Sequence, residues 1–219
     1  MNIDLRATTI CSLALYCLLC LPYGAWAASD FERMFGFREV RQPDFRPIPQ
    51  WPDVMMRHSR DDRPQRGCRE SFFHKCCIKS WLRFVNSIKD RPRREQIEAV
   101  NRFGNRNPYV LDMVNYGQED YWAIIREFLS NGGDCEDYAI TKFFSLKWLG
   151  FPMDDIRIVI LQDTNLRTPH AVMAVHLGDD ILIMDNQTNR VISHKKIAHY
   201  VPLYSLNTKG WWLHLPPGL

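Results

Sequence analysis

The chain lacks any strong charge bias. Its 219 residues carry a formal net charge of only +3, and acidic residues are interleaved with the basic ones. No run of like charge exceeds a few residues, which leaves no basic stripe for nucleic acid and no charged tail. Internal repeats and low-complexity tracts are also absent, which excludes a repeat array and composition-driven disorder. With 46% hydrophobic and 24% charged residues, the composition fits one ordinary globular domain with a sizeable core.

A long membrane span is missing too. The apolar stretch from about Ile10 to Leu21 is shorter than the roughly 20 residues that cross a bilayer. Arg6 precedes it, Pro22 and Gly24 break it, and Ala25-Trp26-Ala27 follows as a small-x-small site. Residues 1–27 therefore read as a signal peptide cut after Ala27, and no lipobox cysteine sits at the cut. Cys11, Cys17 and Cys20 leave with it, and the mature chain keeps Cys68, Cys76, Cys77 and Cys135. An exported domain with so few cysteines has room for one or two disulfides. Cys77 shares a helical face with Trp81, Phe84 and Ile88, so a bridge from Cys68 to Cys76 or Cys77 is open and Cys135 is the expected free thiol.

What is present divides the chain by pattern. Residues 28–66 are rich in Pro, Arg and Asp without a period and read as an irregular arm, pinned by Phe31, Phe35, Phe37 and Trp51. Residues 67–219 form the domain. Helices are predicted at about 74–89, 93–103, 120–130 and 135–149. From Ile156 the pattern turns to short β-branched runs, Ile156–Leu161, Ala171–Leu177, Ile181–Met184, Tyr200–Leu206 and Trp211–Leu215. Helices followed by an antiparallel sheet make an α+β domain.

Asn131-Gly132-Gly133-Asp134-Cys135-Glu136-Asp137 is a glycine turn opening a helix. It places Cys135 in the first helical turn, where unpaired backbone N–H groups and the helix dipole favour a thiolate and can hold an oxyanion. The competing reading is an inert core cysteine, with Asp134 and Asp137 as a capping pair. A partner base decides between them. The segment His170–Leu177 is joined to Asp180–Asp185 by the turn Gly178-Asp179. A two-residue hairpin sets Leu177 opposite Asp180 and Val172 opposite Asp185, which makes His170 and Asp185 diagonal neighbours on one face. Asp185 on one imidazole nitrogen leaves the other for the thiol. His58, His74, His176, His194, His199 and His214 have no carboxylate in such a register and read as surface or core histidines. Trp122, Tyr138, Trp211 and Trp212 read as core aromatics.

The motifs Asn105–Tyr109 (NxxPY), Asp120–Trp122 (DYW), Gly132–Ile140 (GGDCEDYAI), His170–Val172 (HAV) and Met184–Gln187 (MDNQ) together resemble the bacterial transglutaminase-like cysteine proteinase family. The resemblance runs from about residue 70 to the end. It implies a papain-like or transglutaminase-like fold and a periplasmic cysteine endopeptidase with Cys135, His170 and Asp185 as catalytic residues. It also implies a calcium ion held by Asp134 and Glu136, with Asp137 beside them and Asp120, Asp112 and Asn115 as further oxygen ligands. The substrate it implies is the N-terminal region of a large RTX-type surface adhesin, whose release disperses biofilm. The partner it implies is the periplasmic domain of an inner-membrane cyclic-di-GMP receptor. A transglutaminase or amidase on the same three residues, and a binding module without activity, are the alternatives.

Overall fold

Apolar residues on both faces of a strand call for a sheet covered on both sides. The computed structural model describes residues 33–42, 44–61 and 77–218, and among these the second half of the chain forms six strands. They are β2 (Ile156–Asp163), β3 (Thr168–Leu177), β4 (Asp180–Met184), β5 (Ile192–Ser193), β6 (Tyr200–Asn207) and β7 (Gly210–Leu215). With β1 (Arg38–Gln42) they make one antiparallel sheet in the order β1-β7-β6-β2-β3-β4-β5. Ile158, Ala171, Met173, Val175, Leu182 and Met184 point to the helical side. Val159, Leu161, Val172, Ala174, Ile181 and Ile183 point to the other, where Met34, Ile197 and Tyr200 cover them.

The helices are α1 (Gln50–Ser59), α2 (Cys77–Ile88), α3 (Arg93–Gly104), α4 (Asp112–Asn115), α5 (Ile125–Asn131) and α6 (Cys135–Trp148). The helix–sheet α+β class and the hairpin register are as expected: β3 and β4 pair with Leu177 opposite Asp180 and Met173 opposite Met184. Gly178 has the left-handed φ of +64° that the tight loop needs.

Two expectations need correction. The described part of the expected arm 28–66, residues 33–42 and 44–61, is not irregular: β1 lengthens the sheet and α1 enters the core through Trp51 and Val54. Trp51 is 1% exposed and its Nε1 donates to the Asn207 carbonyl at 3.0 Å, while Phe35 sits edge-on to His194 and Tyr200. The helix expected at 120–130 starts only at Ile125. The N–H groups of Tyr121 and Ala123 go to the carboxylates of Asp112 and Asp137, which holds that stretch out of the helix, and Glu127 accepts the Ile124 N–H at the true start. The signal segment, its cleavage site, Phe31, Cys68, His74, Cys76 and the side chain of Cys77 lie outside the described residues. No helix among the described residues is long and apolar enough to cross a membrane.

α6 is the central helix, buried from Asp137 to Leu146. One of those residues is Lys142, 1% exposed, with its Nζ 5.8 Å from the Tyr138 ring centre. Its stem runs under Gly104, where a Cβ would stand 3.1 Å from Lys142 Cε. Burial pulls the Lys142 ammonium down to about 7, opposed by the charge of Asp185. The unfolded chain holds that proton to about 10.5, so between the two values unfolding takes up a proton and stability rises with pH. Urea unfolding should therefore show the wild type gaining about 2 kcal/mol over Lys142→Met between pH 7 and pH 9. Parallel pH profiles for the two proteins would contradict it.

Candidate active site

The turn that leads into Cys135 is shaped by two glycines. Gly132 has φ +77°, and a Cβ there would lie 2.5 Å from the Pro108 carbonyl oxygen. A Cβ on Gly133 would lie 2.1 Å from Asp137 Oδ2. α6 starts immediately after, with Cys135 half-buried as a free cysteine at its first position. Asp134 occupies the N-cap position with extended backbone, yet its side chain caps nothing. The Asp134 half of a capping pair is thus missing, while Asp137 Oδ1 accepts from the Ala123 N–H at 2.7 Å and its carboxylate also feels the Asp134 main chain.

His170 on β3 and Asp185 just past β4 meet as the register requires, His170 Nε2 to Asp185 Oδ1 at 3.0 Å, both side chains buried. The carboxylate is held from every side. Oδ1 also accepts from the Gln187 N–H at 2.9 Å, and Oδ2 accepts from the Tyr200 hydroxyl. Burial would raise the Asp185 pKa, but the His170 hydrogen bond and charge, then Tyr200 and Gln187, outweigh it and keep the carboxyl below its usual range. Asn105 Nδ2 donates to the Asp185 carbonyl at 2.8 Å and fixes the main chain there. The Gln187 amide lies 3.3 Å from His170 Nε2. With Nε2 committed to Asp185, Nδ1 is the nitrogen left for chemistry; it takes no hydrogen bond among the described residues.

Cys135 is not hydrogen-bonded to His170. Its thiol donates to Glu136 Oε2 at 3.2 Å. It reaches β3 through the backbone N–H of Ala171, the residue after His170. Burial raises the thiol pKa most, the charge and hydrogen bond of Glu136 add to it, Asp134 adds more, and only the Ala171 N–H works the other way.

The cause is a knot of carboxylates. Asp112, Asp120 and Glu136 bring oxygens within 4.8 Å of one another, and so do Asp112, Asp134 and Asp137. Burial lifts the pKa of Asp112 to about 6 and of Glu136 to about 9, and those of Asp134 and Asp137 upward as well, each further raised by neighbouring carboxylates. Asp112 Oδ1, Asp134 Oδ1 and Asp137 Oδ2 are buried without a hydrogen-bond donor. Orphaned oxygens from three converging carboxylates fit a hard cation that takes oxygen ligands. Of the expected metal residues, Asp134 and Asp137 converge with Asp112, while Glu136 meets Asp112 and Asp120 in the second group. Asp120 is already bonded to Gln50 and Trp122, and the Asn115 amide donates to the Gly132 carbonyl.

The other described histidines stand apart. His194 Nδ1 accepts from the Phe35 N–H, His214 pairs with Ser205, His58 stacks on Phe144, His199 packs on Tyr200, and His176 lies 3.7 Å from Asp155. Trp122 and Tyr138 are core residues, whereas Trp211 and Trp212 are half-buried. Tyr200 and Gln187 are the site residues that sequence reasoning did not single out. Gln187 appears there only as the last letter of MDNQ, and Tyr200 only as the start of a strand.

A cysteine opening the central helix, beside a His–Asp pair on an antiparallel sheet, is the arrangement of a papain-like or transglutaminase-like thiol enzyme. Residues 68–218 match the model of the bacterial transglutaminase-like cysteine proteinases, and the chain belongs to that family of cysteine peptidases. Among solved structures it is similar to Legionella pneumophila LapG, at 34% identity and a TM-score of 0.57 over 61% of this chain and 76% of that one. The EGTA-treated form of that protein matches at 34% identity and TM-score 0.57 over 61% and 74% of the two chains. Its calcium-bound form matches at the same identity and TM-score over 61% and 76%. No curated protein matches the chain.

The turn geometry gives a direct test. Gly133→Ala should cost about 2 to 4 kcal/mol, because the methyl group and Asp137 Oδ2 cannot share one place. A thermal melt unchanged from wild type would mean that the turn and Asp137 yield freely.

Proposed function

We propose that the protein is an exported, calcium-dependent cysteine endopeptidase that cuts the N-terminal region of a large RTX-type surface adhesin and so releases it from the cell and disperses biofilm. The observation that carries the catalytic assignment is the His170–Asp185 pair at 3.0 Å beside a helix that opens on Cys135. In this reading His170 Nδ1 takes the Cys135 proton, and the thiolate attacks the scissile carbonyl. The Cys135 backbone N–H helps hold the oxyanion. The leaving amine takes the proton from the imidazolium, and water activated by His170 then hydrolyses the thioester. Asp185 holds Nε2–H throughout, and Tyr200 and Gln187 hold Asp185.

Asp112, Asp134, Glu136 and Asp137 would hold the calcium ion, and the convergence of the undonated oxygens of Asp112, Asp134 and Asp137 supports that reading. Bound there, calcium supplies the positive charge that lets these carboxylates ionise together. Glu136 then no longer competes for the Cys135 proton, which leaves the thiol to His170. That LapG is known in both calcium-bound and EGTA-treated forms is consistent with the assignment. Export to the periplasm rests on the pattern of residues 1–27. Restraint by the periplasmic domain of an inner-membrane cyclic-di-GMP receptor belongs to the same reading and rests on family likeness.

Cleavage of an N-terminal adhesin fragment, followed on gels, tests the chemistry. Cys135→Ala and His170→Ala should each lose roughly 1,000-fold or more, and Asp185→Asn less than either because it keeps the shape but disturbs the tautomer. Full turnover by Cys135→Ala would end the peptidase reading, and amine incorporation without chain cleavage would select a transglutaminase. Calcium has its own readout in the alkylation of Cys135, followed by mass spectrometry at neutral pH. Calcium should speed it about tenfold or more over the chelated protein, and the double variant Asp134→Ala/Glu136→Ala should lose that response. Equal cleavage and equal alkylation with and without chelator would remove calcium from the mechanism.

A further inference from the structure

Ahead of the nucleophile turn runs a short extended segment, and its main chain is used on one edge only. Val110 N–H donates to the Gly133 carbonyl at 3.0 Å and Gly133 N–H to the Pro108 carbonyl at 3.3 Å, an isolated parallel bridge between Tyr109 and Gly133. Gly133 lies two residues before Cys135. Main-chain groups alternate sides along an extended chain, so the N–H and C=O of Tyr109 and the N–H of Leu111 face away from Gly133. Among the described residues none of these three groups has a hydrogen-bond partner. Leu111 is itself extended, at φ −66° and ψ 145°.

The side chains along this edge are apolar and wet. Tyr109, Leu111 and Met113 are each 55% exposed and Val114 is 75% exposed. These four, within six residues, are nearly half of the large hydrophobic side chains exposed among the described residues, so exposed apolar surface is concentrated on this segment. The segment is held in place. Asp112 is buried among the carboxylates with Oδ2 on the Tyr121 N–H, and Asn115 Nδ2 donates to the Gly132 carbonyl. The Tyr109 ring stacks beside Tyr138 on α6, the helix that Cys135 opens.

A fixed edge with unpaired main-chain groups and an apolar wall, continuous with the turn that presents a peptidase thiol, suits an extended polypeptide. We propose that Tyr109–Leu111 is the substrate-binding edge, to which the chain to be cut adds as a strand, with Tyr109, Leu111, Met113 and Val114 receiving its apolar or small side chains. The edge is too short for a stable interface between copies, which takes on the order of 20 to 30 residues a side. The proposal deepens the endopeptidase reading and rests on it.

Leu111→Pro is the sharpest probe, because proline accepts the observed φ and removes an N–H that has no partner in the fold. It should lower kcat/KM on the adhesin fragment by roughly 3- to 10-fold, the worth of one hydrogen bond, while the alkylation rate of Cys135 stays at the wild-type value. On the Cys135→Ala background it should weaken binding of the uncut fragment by a similar factor in a titration. Val114→Ser, an exposed change that leaves the main chain alone, should also raise KM. Wild-type kcat/KM and binding in both variants would overturn the edge while the peptidase reading stands. A wild type that cuts no polypeptide would overturn that reading and the edge together. Self-association that Val114→Ser abolishes, with cleavage unchanged, would give the patch to a second copy of the chain and overturn the proposal.

Discussion

Ten consecutive residues of α6, from Asp137 to Leu146, are buried, so the helix that carries Cys135 is clamped between β3 on one side and α3 and α5 on the other. A helix fixed on all sides cannot shift along its axis without opening voids, and its first turn is therefore set against the strand to within a side chain's play. That clamp brings the Cys135 thiol to the Ala171 N–H, one residue from His170. It also drives Asp137 into the interior, where Asp137 and Asp112 hold the main chain of residues 121–123 out of α5. The same packing that positions Cys135 thus gathers the carboxylates around it.

The two halves of the site are built on opposite electrostatic terms. On the sheet, Asp185 is surrounded by donors from His170, Tyr200 and Gln187 and stays ionised although buried. At the head of α6, Asp112, Asp134, Glu136 and Asp137 are surrounded chiefly by one another, and burial plus mutual repulsion favours their neutral forms. Concentrated, uncompensated charge of this kind is costly to a fold and persists where another need holds it there. Its consequence reaches Cys135, whose thiol donates to Glu136 Oε2 at 3.2 Å and holds its proton more tightly. The helix dipole, worth about 1 kcal/mol at a terminus, is too weak to reverse that by itself.

Where sequence reading failed, the signals were weak for physical reasons. β1 (Arg38-Glu39-Val40-Arg41-Gln42) is an edge strand, and charged side chains guard an edge against further pairing, so the apolar alternation that marks inner strands is missing from it. The start of α5 was misplaced because Asp112 and Asp137, distant in sequence, take the N–H groups that would have continued the helix. The aromatics of the segment 28–66 did forecast contact with the core, through Phe35 and Trp51, without revealing the strand and helix that deliver them.

By itself the sequence determined the α+β order, the free cysteine at the mouth of a glycine turn, and the meeting of His170 with Asp185. Each depends on local rules: helical periodicity, turn chemistry, and the pairing that a two-residue hairpin imposes on its flanking strands. The tertiary structure alone decided that the Cys135 thiol donates to Glu136, that Asp112 is shared by both acidic groups, that Tyr200 steadies the Asp185 carboxylate, and that the outer main-chain edge of Tyr109–Leu111 is left open. Those contacts join segments far apart in the chain, and their geometry follows from how α6 packs against the sheet, which no periodicity in the sequence encodes.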